Sequence, residues 1–259
     1  MARGSTSATK TISTSPPSSS SAGTLPRGTW TVPLPGGAVV FAAGRSSGDF
    51  SSLTGTGRLP REVQGSPRAG PGLGGTPLTW LRQVHGARVV AVNSPGDHCG
   101  SPADAAVTRC RGAGLAVLTA DCAPVALSSP EGVIGIAHAG WRGLLAGVVE
   151  AAVAAVRELG GTQVYAALGP CIRPHGYRFS ESDLELLIAR FGRGVRSCDE
   201  AGNPALDLPA AVSSALGMSG ATLVASSACC THCSPDHWSW RARADTGRQA
   251  TVVWRPVER

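Results

Sequence analysis

Apolar residues along this chain fall into short blocks, and two of those blocks end alike. Residues 115–118 are an apolar run that ends in Thr119-Ala120-Asp121-Cys122; residues 132–137 are a second that ends in His138-Ala139-Gly140-Trp141-Arg142-Gly143. Apolar runs this short, bounded by turn residues, read as buried strands. Each delivers a metal-capable side chain at its C-terminal end, and function gathers at such ends because a rigid scaffold positions them. Behind the second run lies LLAGVVEAAVAAVREL, residues 144–159. It is apolar on most faces, with Glu150, Arg157 and Glu158 on the wet side and Gly160-Gly161 closing it. That pattern predicts one long buried helix. His138 and Arg142 then lie in a strand-to-helix turn, at the helix end that favours anions.

The remaining elements are weaker. Residues 29–43 alternate and contain Val-Val-Phe, which predicts a first strand. Residues 44–60 are a Gly/Ser-rich loop in which Arg45 is the first charge, and composition alone reads Arg45 as solvated. Residues 60–77 are rich in Gly and Pro and give little sign of the helix normally expected before the next strand. Residues 77–92 have strand character on either side of His85-Gly86, where the glycine permits a sharp turn or bulge. Taken alone, His85 reads as a hydrogen-bonded turn residue before it reads as a ligand. Asp104 opens a short apolar segment and fits either an acceptor behind a metal ligand or a helix cap. Further on come a strand at 164–168, a helix at 180–191 capped by Ser180 with Asp183 three residues later, a helix at 207–217, and strands at 221–225 and 250–254. There is no solenoid-type repeat.

Composition narrows the class. With 259 residues and 42% apolar content a substantial core is available, while Gly 34 and Pro 19 point to a loop-rich α/β protein rather than a helical bundle. The net charge of +6 rests almost wholly on arginine, Lys10 being the only lysine. The arginines are scattered, which argues against a nucleic-acid-binding stripe and is compatible with a small anionic substrate. Eight cysteines in a chain this long, with no secretory apolar region ahead of the domain, read as thiols or metal ligands in a reducing compartment. No window approaches the ~20 apolar residues a membrane helix needs. The arginine-for-lysine bias, with abundant Ala and Gly, points to a high-GC genome and a bacterial cytoplasmic protein. Residues 1–28 are rich in Ser, Thr and Pro, contain no Asp or Glu, and are expected to form a disordered tail. Sparse arginine and the lack of an amphipathic helix argue against an organellar transit peptide.

His85, Cys122 and His138 each sit at a strand end or break, so one sheet edge can gather them. Two imidazoles and a thiolate suit zinc, which in catalytic sites keeps a fourth position open and brings the pKa of bound water to ~7. The spacing itself is not diagnostic: there is no H-E-x-x-H, no zinc-deaminase signature, and no Walker or Rossmann loop. A second reading takes Cys122 as a nucleophile with His138 as its base and a carboxylate behind. Asp121 is adjacent, but neighbouring strand residues face opposite ways, a rule that loosens at a strand end. A separate cluster, Cys229 to Cys233 with His237 nearby, holds one Cys-x-x-Cys. One such pair is weak support for a structural zinc, and buried free thiols are the preferred account.

Gln83-Val84-His85-Gly86, Thr119-Ala120-Asp121-Cys122 and the His138-to-Gly143 run together resemble the signature motifs of the laccase-domain (multicopper polyphenol oxidase-named) purine nucleoside phosphorylases, also called the peptidoglycan editing factor family. Gly169-Pro170, Cys230-Thr231 and the late Ser239…Arg241…Thr246-Gly247-Arg248 run are similar to the family's remaining blocks, and the likeness extends over residues 39–253. The resemblance implies a single catalytic domain over residues 29–259, an α+β fold built as a four-layer α/β/β/α sandwich with mixed sheets. It implies zinc on His85, Cys122 and His138. It also implies phosphorolysis of adenosine, inosine and S-methyl-5′-thioadenosine, with adenosine deamination. Arg45 stands where the family has an early arginine and would contact phosphate or ribose; Arg142 would add positive field; Asp121 would orient a ligand or relay a proton. Two other activities attach to the same motifs, editing of a peptidoglycan precursor by amide cleavage and copper-dependent phenol oxidation. A multicopper oxidase needs many histidine ligands, and this chain has 6 histidines, so copper is the lesser expectation. Two departures stand out: the asparagine usual after the early arginine is missing from residues 46–54, and Arg178 follows Tyr177 where the family commonly has an acid.

Overall fold

The computed structural model describes residues 26–51 and 77–256. In chain order its elements are β1 (Trp30–Leu34), β2 (Ala38–Ala42), β3 (Leu78–Trp80), β4 (Val89–Val92), β5 (Ala105–Thr108), β6 (Gly114–Thr119), β7 (Ala123–Ser128), β8 (Ile134–Ala139), α1 (Trp141–Ala146), α2 (Val148–Glu158), β9 (Tyr165–Leu168), α3 (Glu181–Phe191), β10 (Arg196–Cys198), β11 (Pro204–Leu206), α4 (Leu208–Met218), β12 (Thr222–Ser226), α5 (Trp240–Arg243) and β13 (Gln249–Trp254). Two mixed sheets dominate: five strands in the order β1-β2-β13-β6-β3, and six in the order β12-β9-β7-β8-β5-β4. The expected tail, apart from residues 26–28, and the weak stretch before β3 lie outside the described residues.

The two-residue period of the strands sorts their side chains into layers. Along β8, Ile134 and Ile136 join Leu115, Val117, Val40 and Val253 in the core between the sheets. Ala137 and Ala139 of β8 face the opposite way, toward Val148, Val149, Val153, Leu184 and Val212 of the helices. Ala116 and Leu118 of β6 pack with Phe41, Val252 and Trp254 on the outer face of the five-stranded sheet. Helices, six-stranded sheet and five-stranded sheet therefore follow one another as layers, in the mixed-sheet arrangement the family resemblance implies.

Among the elements that differ from the sequence reading, three stand out. The single strand expected over residues 29–43 is a β1–β2 hairpin, folded at Pro35-Gly36-Gly37 with positive φ at both glycines. Strand β7 was not anticipated: all its residues are buried, so no polar alternation marks it, and Pro124 argues against a central strand. The proline is accommodated because β9 pairs with β7 only from Val125 onward. The long helix is two helices. Gly147 takes φ 90° and its N–H bonds back to the carbonyls of Gly143 and Leu144, capping α1 before α2 begins. Ser180 does cap α3, accepting from the Asp183 N–H.

Candidate active site

Three turns meet at one edge of the paired sheets. The β3–β4 connection carries His85, the β6–β7 turn carries Asp121 and Cys122, and β8 ends in His138 just before α1. The imidazole Nε2 of His85 lies 3.9 Å from Cys122 Sγ, and the rings of His85 and His138 stand edge to face with centroids 4.8 Å apart. Donor atoms of all three residues fall within 4.8 Å of one another. The three residues named from the sequence thus converge.

Asp104 holds two of them in place. Its fully buried carboxylate accepts from His138 Nδ1 at 2.9 Å and from the backbone N–H groups of Val84, His85 and Gly86 at 3.1, 2.9 and 2.8 Å. Burial opposes the negative charge, but the His138 bond and the Gly86 and Val84 N–H groups hold the carboxyl below its ordinary range. A carboxylate on Nδ1 leaves Nε2 of His138 as the ring's remaining donor, the arrangement usual behind metal-bound histidines. Of the two roles weighed for Asp104, acceptor and helix cap, the acceptor is correct. His85 itself, not Gly86, takes the left-handed conformation, with φ 59°. The three N–H bonds to Asp104 stabilise that turn.

The donor set fits a borderline-soft cation such as zinc. A further observation concerns space. Gly140 has ordinary extended φ/ψ, yet a Cβ there would lie 2.9 Å from His85 Cδ2 and 3.1 Å from Cys122 Sγ. The chain keeps the position between its donors clear. Burial opposes the Cys122 thiolate, but attraction to His138 and hydrogen bonds from both imidazoles bring its pKa down to about 6. Burial likewise opposes the His138 cation, and Cys122 with Asp104 carries it up to about 9. Without a cation between them, each group favours the charged form of the other. Cys122, His138 and Asp104 also form the Cys–His–carboxylate series weighed as a nucleophile reading, with Asp104 in the place considered for Asp121. His85, aimed at the same sulfur, favours the metal reading.

These residues floor a cleft of ≈ 660 Å³. Among the described residues its lining contains four arginines, Arg82, Arg142, Arg241 and Arg248, against one carboxylate, Asp121. Apolar surface comes from Leu81, Leu118, Trp141, Tyr177 and Trp240. Arg142 stacks over Trp141 at 4.2 Å and Arg241 over Tyr177 at 4.9 Å. Because Gly147 ends α1 after six residues, the helix field behind Arg142 is smaller than a sixteen-residue helix would give.

Asp121 reaches the cleft, but its carboxylate is engaged: Oδ1 accepts from Thr231 Oγ1 at 2.7 Å and Oδ2 from the Arg241 N–H at 2.7 Å. Its φ of 98° is strained for a residue other than glycine, and these bonds hold it there. Arg45 is not among the lining residues. It donates to Asp245 at 3.0 Å and lies 4.0 Å over Trp238. Asp245 also accepts from the Ser239 N–H, so Arg45 braces the segment that carries Arg241 and Arg248. Those two arginines were quoted within the late motif but given no role. Only their contacts across the fold reveal one.

Residues 65–256 match the family model described as multi-copper polyphenol oxidoreductase laccase. A Streptomyces coelicolor protein named purine nucleoside phosphorylase SCO2081 is 43% identical over 181 residues, covering 68% of this chain and 74% of that protein. Purine nucleoside phosphorylase ORF3 of Streptomyces griseus is 43% identical over 188 residues, covering 71% and 76%. Among solved structures, Neisseria meningitidis protein NMB0706 superposes with a TM-score of 0.73 at 26% identity, covering 89% of this chain and 100% of that one.

Proposed function

Given that the chain belongs to the multi-copper polyphenol oxidoreductase laccase family, we propose that it is a zinc-dependent purine nucleoside phosphorylase. Its substrates are adenosine, inosine and S-methyl-5′-thioadenosine with inorganic phosphate, and it also deaminates adenosine. One observation carries the reading: a His/Cys/His donor set and an arginine-rich wall share a single cleft with aromatic sides. The activity named for the Streptomyces relatives needs an anion site for phosphate and a surface for the base, which the arginines and the aromatic rings supply.

In phosphorolysis a phosphate oxygen attacks C1′ of the ribose while the bond to the purine nitrogen breaks, and the base leaves with a proton. Phosphate must be held close without losing its nucleophilicity, and positioning of this kind supplies much of the rate. Arg82 and Arg142 are the phosphate anchors, since the guanidinium groups of Arg241 and Arg248 on the same wall donate to backbone carbonyls. Trp141, Tyr177 and Trp240 offer flat apolar surface to the purine. His85, Cys122 and His138 hold zinc, which when bound supplies Lewis acidity. Asp104 fixes the His138 tautomer. Asp121 positions the Arg241 backbone through its Oδ2, and Arg45 acts at one remove by holding Asp245.

The test is release of free base from the three nucleosides, with and without phosphate, by the purified protein and its His138→Ala variant, with zinc measured in both. Phosphate-dependent release that disappears with His138 supports the assignment. Zinc bound with no nucleoside turnover overturns it and directs attention to amide cleavage in a wall precursor.

A further inference from the structure

A second set of soft donors lies outside the cleft. His175 follows Pro174 in a short 3-10 turn, while Cys230 and Cys233 come from the Cys-x-x-Cys of the 229–233 segment. Their donor atoms all fall within 4.8 Å of one another. His175 Nε2 approaches Cys233 Sγ to 2.9 Å, closer than the 3.9 Å of the His85–Cys122 pair or the 3.5 Å of Cys229 and His237. His232 Nδ1 lies 3.8 Å from the same sulfur. Zinc–sulfur and zinc–nitrogen bonds of ~2.3 and ~2.0 Å put tetrahedral ligands about 3.5 Å apart, within the range these separations span.

The backbone brings the two segments together for more than a chance contact. Cys171 and Cys230 form a parallel bridge, and the Thr231 N–H donates to the Cys171 carbonyl at 3.2 Å. Gly176 lets the His232 ring lie directly over the 174–176 turn, where a Cβ would collide with it. We infer that His175, Cys230 and Cys233 bind a second divalent ion of the zinc class, in a structural role.

That ion would clasp two segments that both serve the cleft. Tyr177, two residues beyond His175, lines it, and Thr231, between the two cysteines, donates to Asp121. The first site has one sulfur and stands at the cleft floor; this one has two and no lining residue. Cys-x-x-Cys with a histidine from a facing loop is a donor pattern of structural zinc.

The experiment is metal stoichiometry on the full chain, stripped with chelator, reloaded with zinc and desalted. Wild type should retain two zinc ions per chain, His138→Ala and Cys233→Ser one each, and the double variant none. Should Cys233→Ser fail to fold, His175→Ala poses the same question. In cobalt-loaded protein the sulfur-to-metal charge-transfer band should persist in His138→Ala and weaken in Cys233→Ser. One zinc per chain, lost entirely with His138 and untouched by Cys233→Ser or His175→Ala, overturns the inference, as does a Cys230–Cys233 disulfide found by mass in freshly purified protein. Nucleoside turnover is not a readout, so this inference and the phosphorylase assignment fail separately.

Discussion

Replacing Asp104 with asparagine tests how the fold prepares the site. The side chain keeps its shape, so packing is unchanged, but all four partners of the carboxylate are donors: His85 N–H and His138 Nδ1 on Oδ1, Val84 and Gly86 N–H on Oδ2. An amide has one accepting oxygen and one NH₂. With NH₂ in the Oδ2 position, two backbone donors are orphaned, at ~1–3 kcal/mol each. With NH₂ in the Oδ1 position, the His85 N–H is orphaned and the Nδ1–H of His138 faces a second donor, so the ring must give up that proton. That exchanges a charge-assisted bond of ~1.5–3 kcal/mol for a weaker one. Either orientation costs roughly 2–6 kcal/mol. The lower end is the better expectation, because Val84 is 49% exposed and water can reach that turn. Loss of an orienting partner typically reduces metal affinity by about 10–100-fold. Urea unfolding of the metal-free proteins gives the first quantity, and competition against a chromophoric chelator gives the second. Asp104→Asn with unchanged unfolding free energy and unchanged zinc affinity would refute the argument that this carboxylate organises the site.

Three further outcomes follow from the same geometry. Gly140→Ala meets no backbone strain but places a methyl between His85 and Cys122, so zinc content at the first site should fall while the far-ultraviolet circular dichroism stays native. In metal-free protein, Cys122 should react with iodoacetamide along a pH profile centred near 6, since its pKa is depressed to about 6, whereas an ordinary thiol has pKa ~8.5; in His138→Ala, without the neighbouring cation, the midpoint should move up. Gly147→Ala forces a side chain into a φ of 90° and should destabilise the fold by ~1–3 kcal/mol in denaturant titration, with little change in metal content.

Sequence alone determined the parts of this protein that are local. Apolar runs marked β6 and β8, and the Ser180 cap and its periodic positions marked α3, because strands and helices leave their period on a few consecutive residues. His85, Cys122 and His138 were legible as candidate donors because residue type fixes ligand chemistry and each fell at the end of, or at a break in, an apolar run. What periodicity could not carry was left to the tertiary structure. Strand β7 is buried on both faces, so its sequence has no polar side, and Gly147 reads as helical until its left-handed φ is seen. Neither composition nor motif distinguished Asp104 as a bond acceptor from Asp104 as a helix cap, because that role depends on where the His138 ring arrives. The same holds for the arginines. Arg45 and Arg248 are equivalent charges in the sequence, and only the packing of the 236–248 segment turns one toward Asp245 and sets the other on the cleft wall. A side chain's charge belongs to the sequence; what that charge faces is decided by segments far away along the chain.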